Sequence, residues 1–334
     1  MIAGYVELSG EAPGLAAAEL EAAVRALSGG LPGAAGLPLE GLVEVSLPSA
    51  DALGALIGRL ALARRLYVPL EPGAPEEAAR RAGRSGAAAS VRRVGGARTT
   101  ADRRVRDVGA AYVLGGGTID LGAPRRRLWL AATPDGGERL LCESGAVDRT
   151  AFARRAMPRL PFRRPVSLAP RLGRAAVNLA GLRPGDRVLD PFVGTGALLA
   201  EAALLGARVY GIDADPAMIR GALRNLAHLG VHAEVLEVGD ARAVELAEAR
   251  GPFDAIVTDP PYGRASASHG GEPAALAREV LARWQARVAP GGAIVVLSPG
   301  GPVSLEPPWE EEQRLPVRVH RSLTREFRRY RRGR

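Results

Sequence analysis

The sequence predicts an α/β protein in which a mostly parallel, doubly covered sheet follows two smaller α+β units. Three observations lead there. From about Pro165 onward, short apolar runs alternate with longer helical stretches. One of those runs ends in a carboxylate, Asp190, followed by a Gly194-Thr195-Gly196 turn and an apolar helix start. Ahead of Pro165, strand-like and helix-like stretches are broken by Gly/Pro-rich turns and crowded with arginine. A chain of 334 residues has room for two or three domains.

In chain order, residues 2–8 read as a strand. Residues 14–27 read as a helix with Leu20, Val24 and Leu27 at i, i+4 and i+7. Residues 29–38 read as a loop, 42–47 as a strand, 50–62 as a helix and 66–70 as a strand, and 71–77 as a linker. A second unit offers strands at 88–94, 118–121, 128–132 and 139–142 and a helix at 102–114. The third offers strands at 187–189, 207–212, 233–238, 253–258 and 293–298. Its helices are expected at 168–179, 197–205, 216–229, 241–248 and 273–288. Ile219, Leu223 and Leu226 are the expected core face of the helix at 216–229. Ligands on such a sheet bind at the carboxyl ends of its strands.

Composition removes several classes. Hydrophobic residues at 47% and charged residues at 24% exclude wholesale disorder. No apolar run approaches the ~18 residues of a membrane span, and the start of the chain lacks the basic region of a signal peptide, so a cytoplasmic protein is expected. Cys142 is the single cysteine, expected in the core, which rules out an internal disulfide and a thiolate cluster. His228 and His232 have no third ligand nearby, so no metal is expected.

The net charge of +9 is unevenly spread, and every basic residue is arginine. Residues 1–79 hold 4 arginines and 10 acids, whereas 80–174 hold 21 and 7. Residues 175–320 hold 13 and 18, and the last fourteen hold 7 and 1. A basic middle and tail between acidic stretches is a footprint for a polyanion. Arg92, Arg93, Arg103, Arg104, Arg106, Arg125, Arg126 and Arg127 fall in the middle unit, and with few aromatics among them they suit phosphate contact better than base stacking.

Four motifs carry the chemistry. Val188 to Ala202 (VLDPFVGTGALLAEA) delivers Asp190, with Gly194 and Gly196 letting backbone approach a ligand. A dinucleotide loop would want a third glycine where Leu199 stands, so a ligand without phosphates fits better, and S-adenosylmethionine is one. Asp213 closes the next strand, 23 residues on, where a carboxylate can accept both hydroxyls of a ribose. Asp215 and Pro216 read as N-cap and first residue of the following helix. Asp240 ends the third strand and can accept from an adenine amino group. Phe253 to Gly263 (FDAIVTDPPYG) places Asp259-Pro260-Pro261-Tyr262 after an apolar strand. A nucleobase amino group is a poor nucleophile. Hydrogen bonds to the Asp259 carboxylate and the Pro260 carbonyl would orient it and enrich its nitrogen in electron density, while Tyr262 offers a face for stacking. Arg264, Ser266 and His269 follow in a Gly/Ser-rich loop.

The order of these elements and the DPPY tetrapeptide resemble S-adenosylmethionine-dependent amino-methyltransferases. Closer still, PFRRPVSLAPRLGRAAVNLAG (161–181), the Asp190 motif, DPPYGR (259–264) and VHRSLTREF (319–327) resemble the archaeal and eukaryotic enzymes that methylate N2 of guanine 10 in tRNA. Arg163 and Arg164 stand where those relatives carry an aromatic and a histidine, and Val193 and Ala197 where they often carry Cys and Gly.

The resemblance implies a Rossmann-like methyltransferase domain at 167–334, joined by a linker at 151–166 to a ferredoxin-like domain at 1–75 and a THUMP RNA-binding domain at 78–150. It also implies Asp259, Pro260 and Tyr262 as the catalytic set. Asp190, Gly194, Gly196, Asp213, Asp240 and Asn178 would be the contacts to S-adenosylmethionine. The implied partner is tRNA, engaged by a monomer, with the target base drawn out of its stem. Alternatives are the sister enzyme acting on guanine at position 6, which tends to carry Asn at the place of Asp259, an N6-adenine methyltransferase, and an RNA chaperone keeping the fold without turnover.

Overall fold

A computed structural model describes the chain except at residues 30–33, 40, 71–72, 95–101, 166, 247–248, 262–272, 299–302, 304, 322 and 334, and except for the side chains of 34–39, 273–274 and 320. It divides into two units: residues 1–10, 27–58 and 63–147 form the first, and residues 11–26, 59–62 and 148–334 the second.

The first unit is built on one eight-stranded sheet. Its strands are β1 (Ile2–Leu8), β2 (Ala34–Leu39), β3 (Leu42–Leu47), β4 (Ala63–Pro69), β5 (Ala88–Arg93), β6 (Thr118–Ile119), β7 (Arg126–Ala132) and β8 (Glu138–Ala146), in the order β2-β3-β1-β4-β8-β7-β5-β6. The β4–β8 ladder, with Val68 opposite Cys142, joins the strands before residue 70 to those after 88. Helices α2 (Ala50–Arg59), α3 (Pro75–Gly83) and α4 (Arg103–Leu114) accompany the sheet, and Ala79, Val108 and Tyr112 pack with Leu128, Leu130 and Leu140. Cys142 is half-buried against that cluster.

Two expectations here change. Residues 34–39, read as loop, pair with β3 at Ala34–Val45 and Leu39–Leu42. A strand at the sheet edge tolerates the Pro38 that argued against it. The expected linker gives way to α3 at Pro75, where a proline at the first turn and Glu76 and Glu77 beside the helix N-terminus are start signals.

The second unit holds a seven-stranded sheet in the order β11-β10-β9-β12-β13-β15-β14. β9 (Arg187–Asp190), β10 (Arg208–Asp213), β11 (Val235–Val238), β12 (Phe253–Thr258) and β13 (Val288–Ser298) run parallel. β14 (Trp309–His320) and β15 (Leu323–Arg332) add an antiparallel hairpin that the sequence reading left unassigned. The helices are α1 (Pro13–Leu27), α5 (Arg149–Arg154), α6 (Pro170–Leu179), α7 (Ala197–Ala203), α8 (Pro216–His228) and α9 (Pro273–Trp284). Leu189, Ile212, Phe253, Ile256, Trp284 and Val296 lie in one core cluster of this unit. On α8 the buried face is Ile219, Ala222, Asn225 and Leu226; Leu223, expected in the core, is 48% exposed.

The expected helix at 241–248 is a turn over its described residues. The amides of Ala243 and Val244 both reach the Asp240 carbonyl at 2.8 Å, and Val244 folds so closely over Gly239 that a Cβ there would lie 2.1 Å from its Cγ2. α5 occupies part of the expected connector after residue 148, with the Asp148 carboxylate accepting from Ala151 N at 2.9 Å as its cap. Within this unit Glu19 of α1 is buried and accepts from the amides of Ala61 (2.9 Å) and Leu62 (2.8 Å) and from Asn178 Nδ2 (2.8 Å). Burial raises the Glu19 carboxyl, against the pull of those hydrogen bonds.

Candidate active site

The parallel strands place their last residues at one edge of the sheet. β9 ends at Asp190, paired with Gly211 of β10, and β12 lies on the other side with Ile256 opposite Leu189. Asp190 is 1% exposed, and its Oδ1 accepts from Thr258 Oγ1 at 2.7 Å and from Phe192 N at 3.0 Å. Burial pushes this carboxyl up to about 7; the two hydrogen bonds oppose the rise and the nearby Asp259 and Asp213 add to it. Thr258 escaped the sequence reading because a threonine closing an apolar run looks like any strand residue.

The glycine loop follows from local geometry. Gly194 and Gly196 have φ of 53° and 80°, the left-handed region that favours glycine. A Cβ on Gly196 would also lie 3.0 Å from that of Ala222. Asp213 holds the loop from β10: its Oδ2 accepts from Gly194 N at 2.8 Å and its Oδ1 from Asp215 N at 2.9 Å. Asp215 in turn caps α8 through Ala217 N at 2.7 Å. Leu199, standing where a dinucleotide loop has glycine, is buried above a glycine on the strand. A Cβ at Gly211 would meet Leu199 Cδ1 at 2.9 Å and Val193 Cγ2 at 2.3 Å.

Asn225 pins the stretch ahead of α6 to this loop. Its Oδ1 accepts from Phe162 N at 2.9 Å, and its Nδ2 donates to the carbonyls of Phe162 and Thr195, both at 3.0 Å. The Phe162 ring covers Gly221, where a Cβ would lie 2.1 Å from Cδ1, and the Arg164 guanidinium lies 4.8 Å over that ring. Thr195 Oγ1 meets Ser167 Oγ at 3.3 Å.

Asp259 follows β12 directly and meets Arg325 of β15, with Arg325 Nη1 3.0 Å from its Oδ2. Pro260 is buried beside it. Tyr262, Arg264, Ser266 and His269 lie outside the described residues. The other expected site residues are held differently. Asp240 is half-buried and forked by Arg242, with Nη2 2.7 Å from Oδ2. Asn178 is fully buried on α6, giving Nδ2 to Glu19 and to the Arg59 carbonyl and taking Arg59 Nε at 2.7 Å on Oδ1.

The middle-unit arginines also separate into two groups. Arg93 spans Asp102 and Glu138, with Nη2 2.8 Å from Glu138 Oε1. Arg104 spans Glu138 at 2.7 Å and Glu76. The hydrogen bond from Arg93 holds the Asp102 carboxyl below its usual range. Arg92, Arg103, Arg106, Arg125 and Arg127 are exposed, and Arg126 is half-buried. Among the described residues no helix is long and apolar enough to cross a membrane, and no cluster of three or more metal-ligating side chains occurs.

Residues 159–304 match the UPF0020 family model, described as an RMKL-like methyltransferase domain. A tRNA (guanine(10)-N2)-dimethyltransferase of Methanothermobacter thermautotrophicus is 43% identical over 172 residues, 50% of this chain and 50% of the relative. A protein of the same name from Pyrococcus abyssi is 49% identical over 112 residues, 34% of this chain and 33% of that one. The chain thus spans about half the length, or less, of these curated relatives. The crystal structure of TrmN from Thermus thermophilus superposes with a TM-score of 0.53 at 25% identity, covering 99% of both chains. The fold is that of a Rossmann-like methyltransferase, and residues 159–304 are similar to the methyltransferase domain described by the UPF0020 family model.

Proposed function

We propose that the chain transfers methyl groups from S-adenosylmethionine to the exocyclic N2 amino group of guanine 10 in tRNA, giving N2-methyl- and then N2,N2-dimethylguanosine. The observation that carries this reading is the closeness of Asp259, the first residue after β12, to Asp190 and to Asp213, which holds the glycine loop, in the segment matched to the methyltransferase domain. The names of the two archaeal relatives support the substrate.

The residues fit the cofactor. Gly194 and Gly196 offer backbone where a side chain would collide, Asp213 ends β10 with a half-buried carboxylate suited to ribose hydroxyls, and Leu199 closes the space a pyrophosphate loop needs. S-adenosylmethionine, when bound, supplies a methyl group on a positively charged sulfur. The chain does the rest by placement. The Asp259 carboxylate and the Pro260 carbonyl accept hydrogens from the guanine amino group and aim its nitrogen. As that nitrogen gains a carbon it sheds one proton, and the Asp259 carboxylate is the base beside it. The exposed arginines of residues 78–150, the proposed THUMP arm, hold tRNA phosphates.

The test is labelled methyl transfer to an unmodified tRNA transcript, followed by nuclease mapping. Label on N2 of guanine 10 is the expected result. Label on another guanine, or on adenine, keeps the chemistry and overturns the substrate. No label with tRNA bound overturns the enzyme reading in favour of an RNA chaperone.

A further inference from the structure

Arg325 enters the site from an element that is not part of the parallel sheet. β15 runs antiparallel to β13, and its Glu326 lies opposite Ser298, the last residue of β13. Arg325, one residue earlier, therefore stands at the same edge as the ends of the parallel strands. In the order β12-β13-β15 its side chain reaches past β13 to Asp259, 3.0 Å away. Both partners are enclosed, the side chains being 7% and 16% exposed. Neighbouring arginines of β15 are matched inside the hairpin: Arg328 to Glu311 and Glu326, and Arg329 to Glu312. Arg325 instead spends a buried guanidinium on the end of β12. A buried guanidinium is costly to desolvate, and a carboxylate at hydrogen-bond distance offsets part of that cost.

We infer that Arg325 is a positioning residue for the methyl transfer: it fixes the Asp259 carboxylate through Oδ2 and keeps it ionised beside Asp190. This rests on the function proposed above. Two carboxylates at one enclosed edge repel, so the first proton to arrive is shared out between them. An arginine on one of them sends that proton to the other, here Asp190, whose environment already favours it. Asp259 then stays an acceptor. A protonated Asp259 would offer an O–H to the amino group and lose its grip on the N–H.

The experiment uses the full chain and compares Arg325→Gln, Arg325→Lys, Asp259→Asn and Asp259→Asn/Arg325→Gln. Thermal midpoints and S-adenosylmethionine affinity serve as folding controls. The readouts are kcat and KM for tRNA, and the kcat/KM profile between about pH 5 and 9. Arg325→Gln is expected to lower kcat about 100-fold and to move the acid limb upward by about one pH unit or more. Arg325→Lys is expected to keep the limb in place, with kcat lowered about tenfold for want of the guanidinium fork. The double variant should be no slower than Asp259→Asn. An Arg325→Gln limb that superposes on wild type, or penalties that multiply in the double variant, overturns the inference. Should Arg325→Gln not fold, Arg325→Lys decides: a displaced limb or an unchanged kcat overturns it. A wild-type chain that labels no guanine amino group overturns the proposed function itself. One that labels guanine while Arg325→Gln keeps the wild-type limb overturns this inference alone.

Discussion

Replacing Asn225 with aspartate changes one NH2 to an oxygen at a place that tolerates no such exchange. Asn225 is 2% exposed, and its amide is used on both sides: Oδ1 takes the Phe162 amide, while Nδ2 gives to the carbonyls of Phe162 and Thr195. Asn225→Ala loses all three bonds, about 3 kcal/mol at ~1 kcal/mol each. Asn225→Asp keeps the first and loses the other two, about 2 kcal/mol. It also sets a carboxylate oxygen against two carbonyl oxygens.

That repulsion raises the introduced carboxyl above its unfolded value of about 3.9; a rise of about 2–3 units adds roughly 3–4 kcal/mol at neutral pH. The sign is fixed. The folded variant keeps a proton that the unfolded chain has released, so its deficit against wild type is least, about 2 kcal/mol, below about pH 4 and grows as pH rises toward the folded pKa. At neutral pH the aspartate variant is therefore less stable than the alanine variant. The order narrows or reverses toward acid. Thermal unfolding of the three proteins, at about 2–4 °C per kcal/mol and in steps between about pH 5 and 8, reads this directly. A difference between the aspartate variant and wild type that does not change with pH would refute the assignment of Asn225 as donor to both carbonyls.

Other expectations follow from the same geometry. Burial pushes the Asp190 carboxyl up to about 7, so its own contribution to stability falls as pH rises from about 4 toward that value. Asp190→Asn should flatten this slope and raise the thermal midpoint at alkaline pH while weakening S-adenosylmethionine binding, as calorimetry would show. Gly211→Ala drives a Cβ to 2.3 Å from Val193 and should cost about 1–3 kcal/mol, together with most cofactor affinity, because Val193 lies in the glycine loop. Arg103→Glu with Arg106→Glu should weaken tRNA binding at low salt and leave the midpoint within about 1 °C. Arg93→Ala should do the reverse, since Arg93 ties Asp102 to Glu138; filter binding and thermal scans separate the two.

The sheet edge was readable because its signals are local. Asp190, Asp213 and Asp259 each end an apolar run, and a strand's last residue lies at the edge whatever its neighbours are. Asn178, Asn225 and Arg325 carry their weight through partners far away in sequence, which no spacing reveals. The hairpin β14–β15 was missed for a related reason. The basic tail reads as part of a polyanion footprint, yet Arg328 and Arg329 are each 3% exposed and matched to Glu311 and Glu312 across the hairpin. The cluster of arginines in residues 80–174 was legible as charge but not as commitment: Arg93 and Arg104 are occupied by carboxylates of their own unit, whereas Arg103 and Arg106 face solvent. Leu223 shows the limit of periodicity, since α8 turns a polar Asn225 inward and an apolar residue out.

The helix α1 has an awkward schedule. It belongs with residues 148–334, and its Glu19 waits for Asn178, which lies 159 positions further along the chain. A ribosome adding roughly 5–20 residues per second therefore leaves this apolar helix without its permanent neighbours for on the order of ten seconds. Cutting the gene at residue 148 would not free a self-sufficient enzyme core either, for the released piece would carry Asn178 and Arg174 with neither Glu19 nor Arg59 to meet them. Anyone seeking a smaller catalyst would have to re-route the chain, bringing residues 11–26 and 59–62 together with residues 148–334, so that the pieces that pack together are also made together.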